Sequence, residues 1–149
     1  MKKILLFLVA MLALLPGQME ARDFQFTYEG QTLTYTVLDE DSKTVETKKG
    51  TSQAGGRNKV SGRLILPSVV SDGESNYTLV QLGHSAFKGC AGLTEVTIPN
   101  TVTSIETSAF SKCTGLTEVT IPNSVTSIGG TVFYECTGLT KVKITKSLT

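Results

Sequence analysis

Apolar positions recur at one fixed interval over the C-terminal half of the chain, the step from Cys90 to Cys113 and again from Cys113 to Cys136. Residues 90–105 read CAGLTEVTIPNTVTSI and residues 113–128 read CTGLTEVTIPNSVTSI, identical at 14 of 16 positions. A third copy, CTGLTKVKIT, runs from Cys136 to Thr145. Leu93, Leu116 and Leu139 share one phase, Val96, Val119 and Val142 a second, and Ile98, Ile121 and Ile144 a third. Leu82, Ile105 and Ile128 form a fourth, and Phe87, Phe110 and Phe133 a fifth. Such self-similarity marks units that stack on one another. Within a unit, Val96 and Ile98 alternate with Glu95 and Thr97, which predicts a strand with Leu93 turning inward after Gly92. Pro99-Asn100 ends that strand, because proline donates nothing to a ladder and asparagine accepts turn geometry. Val102 to Ile105 predicts a second short extended piece, and Ser108-Ala109-Phe110 a tight helical turn at the next corner. The many β-branched residues disfavour long helices. A single unit buries too little apolar surface to offset the ordering of its backbone, so stability has to come from neighbours.

Upstream the period weakens. Leu64-Ile65-Leu66-Pro67 resembles the strand-and-proline step, but Pro67 precedes Pro99 by more than one period. With the polar run Ser71-Asp72-Gly73-Glu74-Ser75-Asn76 in between, the spacing predicts a degenerate first coil carrying an inserted hairpin. Phe24, Phe26 and Tyr28 alternate, Glu29-Gly30 reads as a turn, and Leu33, Tyr35 and Val37 alternate again, which predicts a β-hairpin. Asp39-Glu40-Asp41-Ser42 then leads to a strand around Val45, and Lys49 to Lys59 reads as a polar loop. The expected fold is mainly β. Residues 60–149 form a solenoid of 23-residue coils, one degenerate and three regular, and residues 22–59 cap its N-terminal end as a β-hairpin segment.

The pattern C-x-G-L-T-x-V-x-I-P, followed by S-V-T-S-I and A-F-x-x-C between Leu82 and Ile144, resembles the BspA-like leucine-rich-repeat family of the treponemal type. Tyr77-Thr78-Leu79-Val80-Gln81-Leu82-Gly83 is similar to the lead-in that this family places before its first regular repeat. The resemblance covers nearly all of the chain beyond residue 21 and is most specific from Leu82 onward. It implies a right-handed leucine-rich-repeat solenoid and export to the bacterial surface or beyond. For some members it also implies adhesion to host matrix or plasma proteins and to other microbes. The expectation is of a short array without a C-terminal sorting or anchoring domain, which leaves retention and release both open.

The first residues agree with export. Lys2 and Lys3 precede a twelve-residue apolar run from Ile4 to Leu15, Pro16-Gly17 ends it, and Ala21 offers a small residue for cleavage. A membrane span needs about 20 apolar residues. Residues 1–21 therefore read as a signal peptide, with an uncleaved anchor as the alternative. Cleavage after Ala21 removes two of the 14 basic and one of the 13 acidic residues, leaving twelve of each. A neutral chain has no overall field to attract nucleic acid or anionic lipid. The expected partners are an extracellular protein or glycan, with no nucleic acid and no membrane span in the mature chain.

Candidate chemistry is sparse. Cys90, Cys113 and Cys136 occupy one column, one per coil. They admit buried thiols, one disulfide or a metal site. Buried thiols are preferred, since three cannot all pair, the column follows the phenylalanine by three positions, and no C-x-x-C or nearby histidine supports a metal. His84, the only histidine, falls at a corner whose equivalents are Thr107 and Gly130, which argues against a Cys–His catalytic pair. Gly55-Gly56-Arg57 lacks the pattern of a phosphate loop, and Asp39-Glu40-Asp41 the spacing of a calcium loop. No enzyme, cofactor or metal is expected. What remains is a surface of outward strand positions in three rows: Thr94, Glu95 and Thr97; Thr117, Glu118 and Thr120; Thr140, Lys141 and Lys143. It reads as a ribbon for recognising an extended protein or glycan, and equally as plain soluble surface. Val142 and Ile144 close the last coil with nothing visible to cover them, so self-association through that coil is a further expectation. The function expected is an exported binding module active in adhesion, the alternative a structural or self-associating envelope protein.

Overall fold

A computed structural model describes residues 21–48 and 60–145. The signal-peptide reading of residues 1–21 falls outside them except for Ala21, as do the loop reading at 49–59 and any cover supplied by 146–149. The described residues form strands and turns, with no helix among them. The chain runs through β1 (Asp23–Tyr28), β2 (Gln31–Asp39), β3 (Thr44–Thr47), β4 (Gly62–Ile65), β5 (Val69–Ser71) and β6 (Asn76–Leu82). It continues through β7 (Leu93–Thr97), β8 (Ser104–Ile105), β9 (Glu118–Pro122), β10 (Ser127–Ile128) and β11 (Lys141–Thr145).

Two sheets face each other. One runs β1-β2-β3-β6-β8-β10, with β5 paired to β6, and the other runs β11-β9-β7-β4. In the second sheet every pairing is parallel. The register matches Glu95 to Glu118 and Glu118 to Lys141, the same step that separates the cysteines. The first sheet repeats that step where Leu82 pairs with Ile105 and Ile105 with Ile128. Leu64 pairs with Val96 across a longer stretch of chain, and the antiparallel β5–β6 hairpin lies within it. At the N-terminal side Phe24 pairs with Tyr35 and Phe26 with Leu33 across the Glu29-Gly30 turn, and β3 joins this hairpin to β6. Alternation selects the inner face: Leu93, Val96, Leu116 and Val119 are fully buried while Glu95 and Glu118 point outward.

The corners between the sheets are not helical turns, contrary to the expectation for Ser108-Ala109-Phe110. Alternate amides bond differently. Ala109, Ser111 and Cys113 donate to carbonyls three residues back, whereas Ser108, Phe110 and Lys112 donate to Gly130, Val132 and Tyr134 in the next unit. Ser85, Phe87 and Gly89 donate likewise to Thr107, Ala109 and Ser111. A helix would direct all these amides along its own axis and leave the units unlinked. The left-handed backbone that this alternation requires recurs at Ser85, Ser108 and Thr131, and again at Gly89, Lys112 and Glu135. Inside the corners the rings of Phe87, Phe110 and Phe133 stack at centroid distances of 5.2 and 5.9 Å, nearly parallel.

Candidate functional site

The outward face of the β4-β7-β9-β11 sheet holds all nine residues singled out from the sequence, but not in one role. Thr94, Thr117 and Thr140 form an exposed column at the strand entrances, and the Thr117 hydroxyl donates to the Thr94 carbonyl at 3.0 Å. The Thr140 hydroxyl reaches the Thr117 carbonyl at 3.4 Å. These hydroxyls bind one unit to the one before it. A matching column on the other side works alike, with Thr103 donating to the Val80 carbonyl and Thr126 to that of Thr103.

Charge sets the middle row. Glu95 and Glu118 are direct neighbours, and an outer cation answers each one. Arg63 Nε lies 3.5 Å from Glu95 Oε1, and Lys141 Nζ lies 3.7 Å from Glu118 Oε2. Lys143 bonds Glu118 as well. The row therefore reads plus, minus, minus, plus across four strands. The Lys143 hydrogen bond, aided by the charges of Lys141 and Lys143, holds the Glu118 carboxyl below the usual carboxylate range. The same bond raises the Lys143 ammonium. Arg63 was missed in the sequence. Its signal was present, since the step from Pro67 to Pro99, applied to Arg63, lands on Glu95. Thr97, Thr120 and Lys143 make the third row and are partly or fully exposed.

A second polar cluster was also not foreseen, because it joins three distant segments. Arg22 Nη2 reaches Asp72 Oδ2 at 2.7 Å and Glu40 Oε1 at 3.1 Å, and bonds the Tyr77 hydroxyl. Lys43 lies 5.2 Å over the Tyr77 ring. Burial acts to raise the Asp72 carboxyl, but the Ser75 and Glu74 amides and Arg22 outweigh it and hold it low. This arrangement fastens the N-terminal strand to the β5–β6 hairpin.

The cysteine column lies inside. Cys90 and Cys113 are fully buried, Cys136 is partly covered, and none of the three is in a disulfide. Cys113 donates to the Phe87 carbonyl at 3.2 Å and Cys136 to that of Phe110 at 3.0 Å. Its hydrogen bond with Cys90 and its burial push the Cys113 thiol far up, away from the reactive thiolate. His84 is exposed at its corner. Among the described residues no three His, Cys, Asp or Glu side chains converge to hold a metal, and no helix is long and apolar enough to cross a membrane.

Comparison with solved structures places this geometry among bacterial repeat proteins. A leucine rich cell surface protein from Faecalibacterium prausnitzii A2-165 superposes with a TM-score of 0.62 at 29% identity, over 82% of this chain and 32% of that one. The T. pallidum leucine rich repeat protein superposes with a TM-score of 0.62 at 25% identity, over 78% of this chain and 49% of that one. A leucine-rich repeat protein from Bacteroides capillosus shares the fold, with a TM-score of 0.52 at 20% identity, over 76% of this chain and 94% of that one. The chain thus spans about a third and about half of the first two relatives. The curated proteins hold no significant match. The sequence profile of the BspA type leucine rich repeat region matches residues 73–149, more than half of the chain. With two sheets built from repeats paired in one constant register, the chain belongs to the BspA-type leucine-rich-repeat family.

Proposed function

We propose that this protein is an exported, non-enzymatic binding module that contacts an extracellular protein or glycan through the outward face of the β4-β7-β9-β11 sheet. Within this reading residues 1–21 are a signal peptide and residues 22–59 an N-terminal cap. Residues 60–149 are a right-handed solenoid of 23-residue coils, and the activity is adhesion at or outside the cell surface. The observation that carries it is the row from Arg63 through Glu95 and Glu118 to Lys141, on a sheet face no other element of the described chain covers. Two central carboxylates flanked by cations at fixed spacing, with Thr97, Thr120 and Lys143 beside them, favour an extended polar partner laid across the strands. The face carries no large aromatic side chain, so affinity is expected to come from many weak contacts over several units. Support for export comes from the F. prausnitzii cell surface protein and from the basic-then-apolar first residues.

The test is binding of the purified full chain to arrays of extracellular matrix proteins and glycans. The double charge reversal Glu118→Lys with Lys141→Glu rearranges the row and should weaken each detected interaction at least about tenfold. The same reversal at Lys88 and Glu135, in the corners, should leave binding unchanged. Binding indifferent to the first pair would move the site elsewhere.

A further inference from the structure

We infer that the outward face of the β4-β7-β9-β11 sheet takes an extended protein segment whose charges run acidic, basic, acidic at every second position. This rests on the reading above that the face is a binding surface, and names the chemistry of what it binds. Arg63, Glu95, Glu118 and Lys141 stand in direct register on four adjacent strands. Neighbouring strands lie about 4.8 Å apart, so the two end cations are separated by roughly 14 Å. An extended chain advances about 3.4 Å per residue and puts every second side chain on one side. Its positions i and i+4 are therefore about 14 Å apart, which seats one carboxylate at Arg63 and another at Lys141. Position i+2 falls midway, between Glu95 and Glu118, where two carboxylates call for a cation. The totals agree: Arg63, Lys141 and Lys143 outnumber Glu95 and Glu118 by one charge, and the segment carries one negative charge in excess.

The ion pairs within the row do not close it to a partner. Arg63 meets Glu95 at 3.5 Å and Lys141 meets Glu118 at 3.7 Å, yet the two cationic side chains stay 62% and 56% exposed. Exposed pairs of that length are weak, so both cations can take a second carboxylate. Two positions along the strands, Thr97 and Thr120 lie side by side, and among the described residues their hydroxyls have no hydrogen-bond partner. An extended segment lying along the charged row has backbone N–H and C=O groups to offer them. A helix keeps those groups in its own hydrogen bonds and docks by an apolar stripe in a groove. The central strands β7 and β9 present threonine and glutamate instead. An acidic glycan supplies anions for Arg63 and Lys141 but no cation for the two glutamates.

Fluorescence anisotropy with short, capped, labelled peptides and the purified full chain provides the test. A peptide carrying Asp-x-Lys-x-Asp among serines and threonines should bind about tenfold more tightly than the reversed Lys-x-Asp-x-Lys. It should exceed Asp-x-x-Lys-x-x-Asp by a similar factor, because the acids of that peptide overshoot the two cations. Arg63→Gln, which adds no charge, should weaken the first peptide about threefold. Arg63→Glu with Lys141→Glu should remove its advantage over the reversed peptide while circular dichroism stays unchanged, since both side chains are exposed. Binding of none of the three, any other order among them, or an advantage that survives the folded double variant would overturn the inference. If partners found on the arrays respond to reversal at Glu118 and Lys141 but the peptides do not differ, the inference fails and the reading of the face stands. If no array partner responds to that reversal, the reading itself fails.

Discussion

A Cβ placed on Gly115 would sit 2.3 Å from the Ala91 carbonyl oxygen, and one on Gly138 2.7 Å from that of Thr114. This glycine column sets how closely neighbouring units approach. Gly115→Ala is expected to cost about 1–3 kcal/mol in denaturant unfolding, since backbone and not a flexible side chain must move. The left-handed corners allow the reverse. Lys112 has φ 62 where the preceding unit carries Gly89, and Lys112→Gly should stabilise the fold by about 0.5–1 kcal/mol, after the entropy of the new glycine is counted. Burial raises the Glu46 carboxyl, against its hydrogen bond from Gln81, and the charges of Glu106 and Asp23 push the same way. The folded state thus holds this proton more tightly than the unfolded chain, so the contribution turns unfavourable as pH rises through the carboxylate range. Glu46→Gln should accordingly stabilise at neutral pH and lose that advantage in acid, read from thermal midpoints across pH.

At the scale of elements, the strands were legible because alternation states which side faces inward. Phe24, Phe26 and Tyr28 against Leu33, Tyr35 and Val37 read directly as β1 and β2, and Val96-x-Ile98 as the strand beginning with β7. The corners were not legible. Ser108-Ala109-Phe110 suits a helical turn by itself, and only the next unit's carbonyls draw Ser108, Phe110 and Lys112 out of one. The candidate face was half legible, its positions following from the period. The attachment of the Thr117 and Thr140 hydroxyls to backbone depends on how the stack staggers, and the Arg22 cluster on contacts between distant segments. Stacking also makes equivalent residues unequal. Phe110 lies between two rings and is fully buried, whereas Phe133 has a ring on one side and is partly buried. Phe110→Ala should cost about 3–5 kcal/mol and Phe133→Ala markedly less, in the same unfolding assay.

For the whole molecule, the repeats act as one continuous structure because each unit closes its neighbour's hydrogen bonds and apolar edge. Protection from hydrogen exchange should therefore be highest at Val96, Ile105 and Val119 and fall away toward β10 and β11. The polar row of the β4-β7-β9-β11 face depends on units superposed at one constant interval. Nuclear Overhauser contacts in solution test this most directly. Ring protons of Phe110 should contact those of both Phe87 and Phe133, with no contact between Phe87 and Phe133, and Val119 should touch both Val96 and Val142. Rings that contact at other intervals, or Phe87 meeting Phe133, would contradict the stack and every surface derived from it.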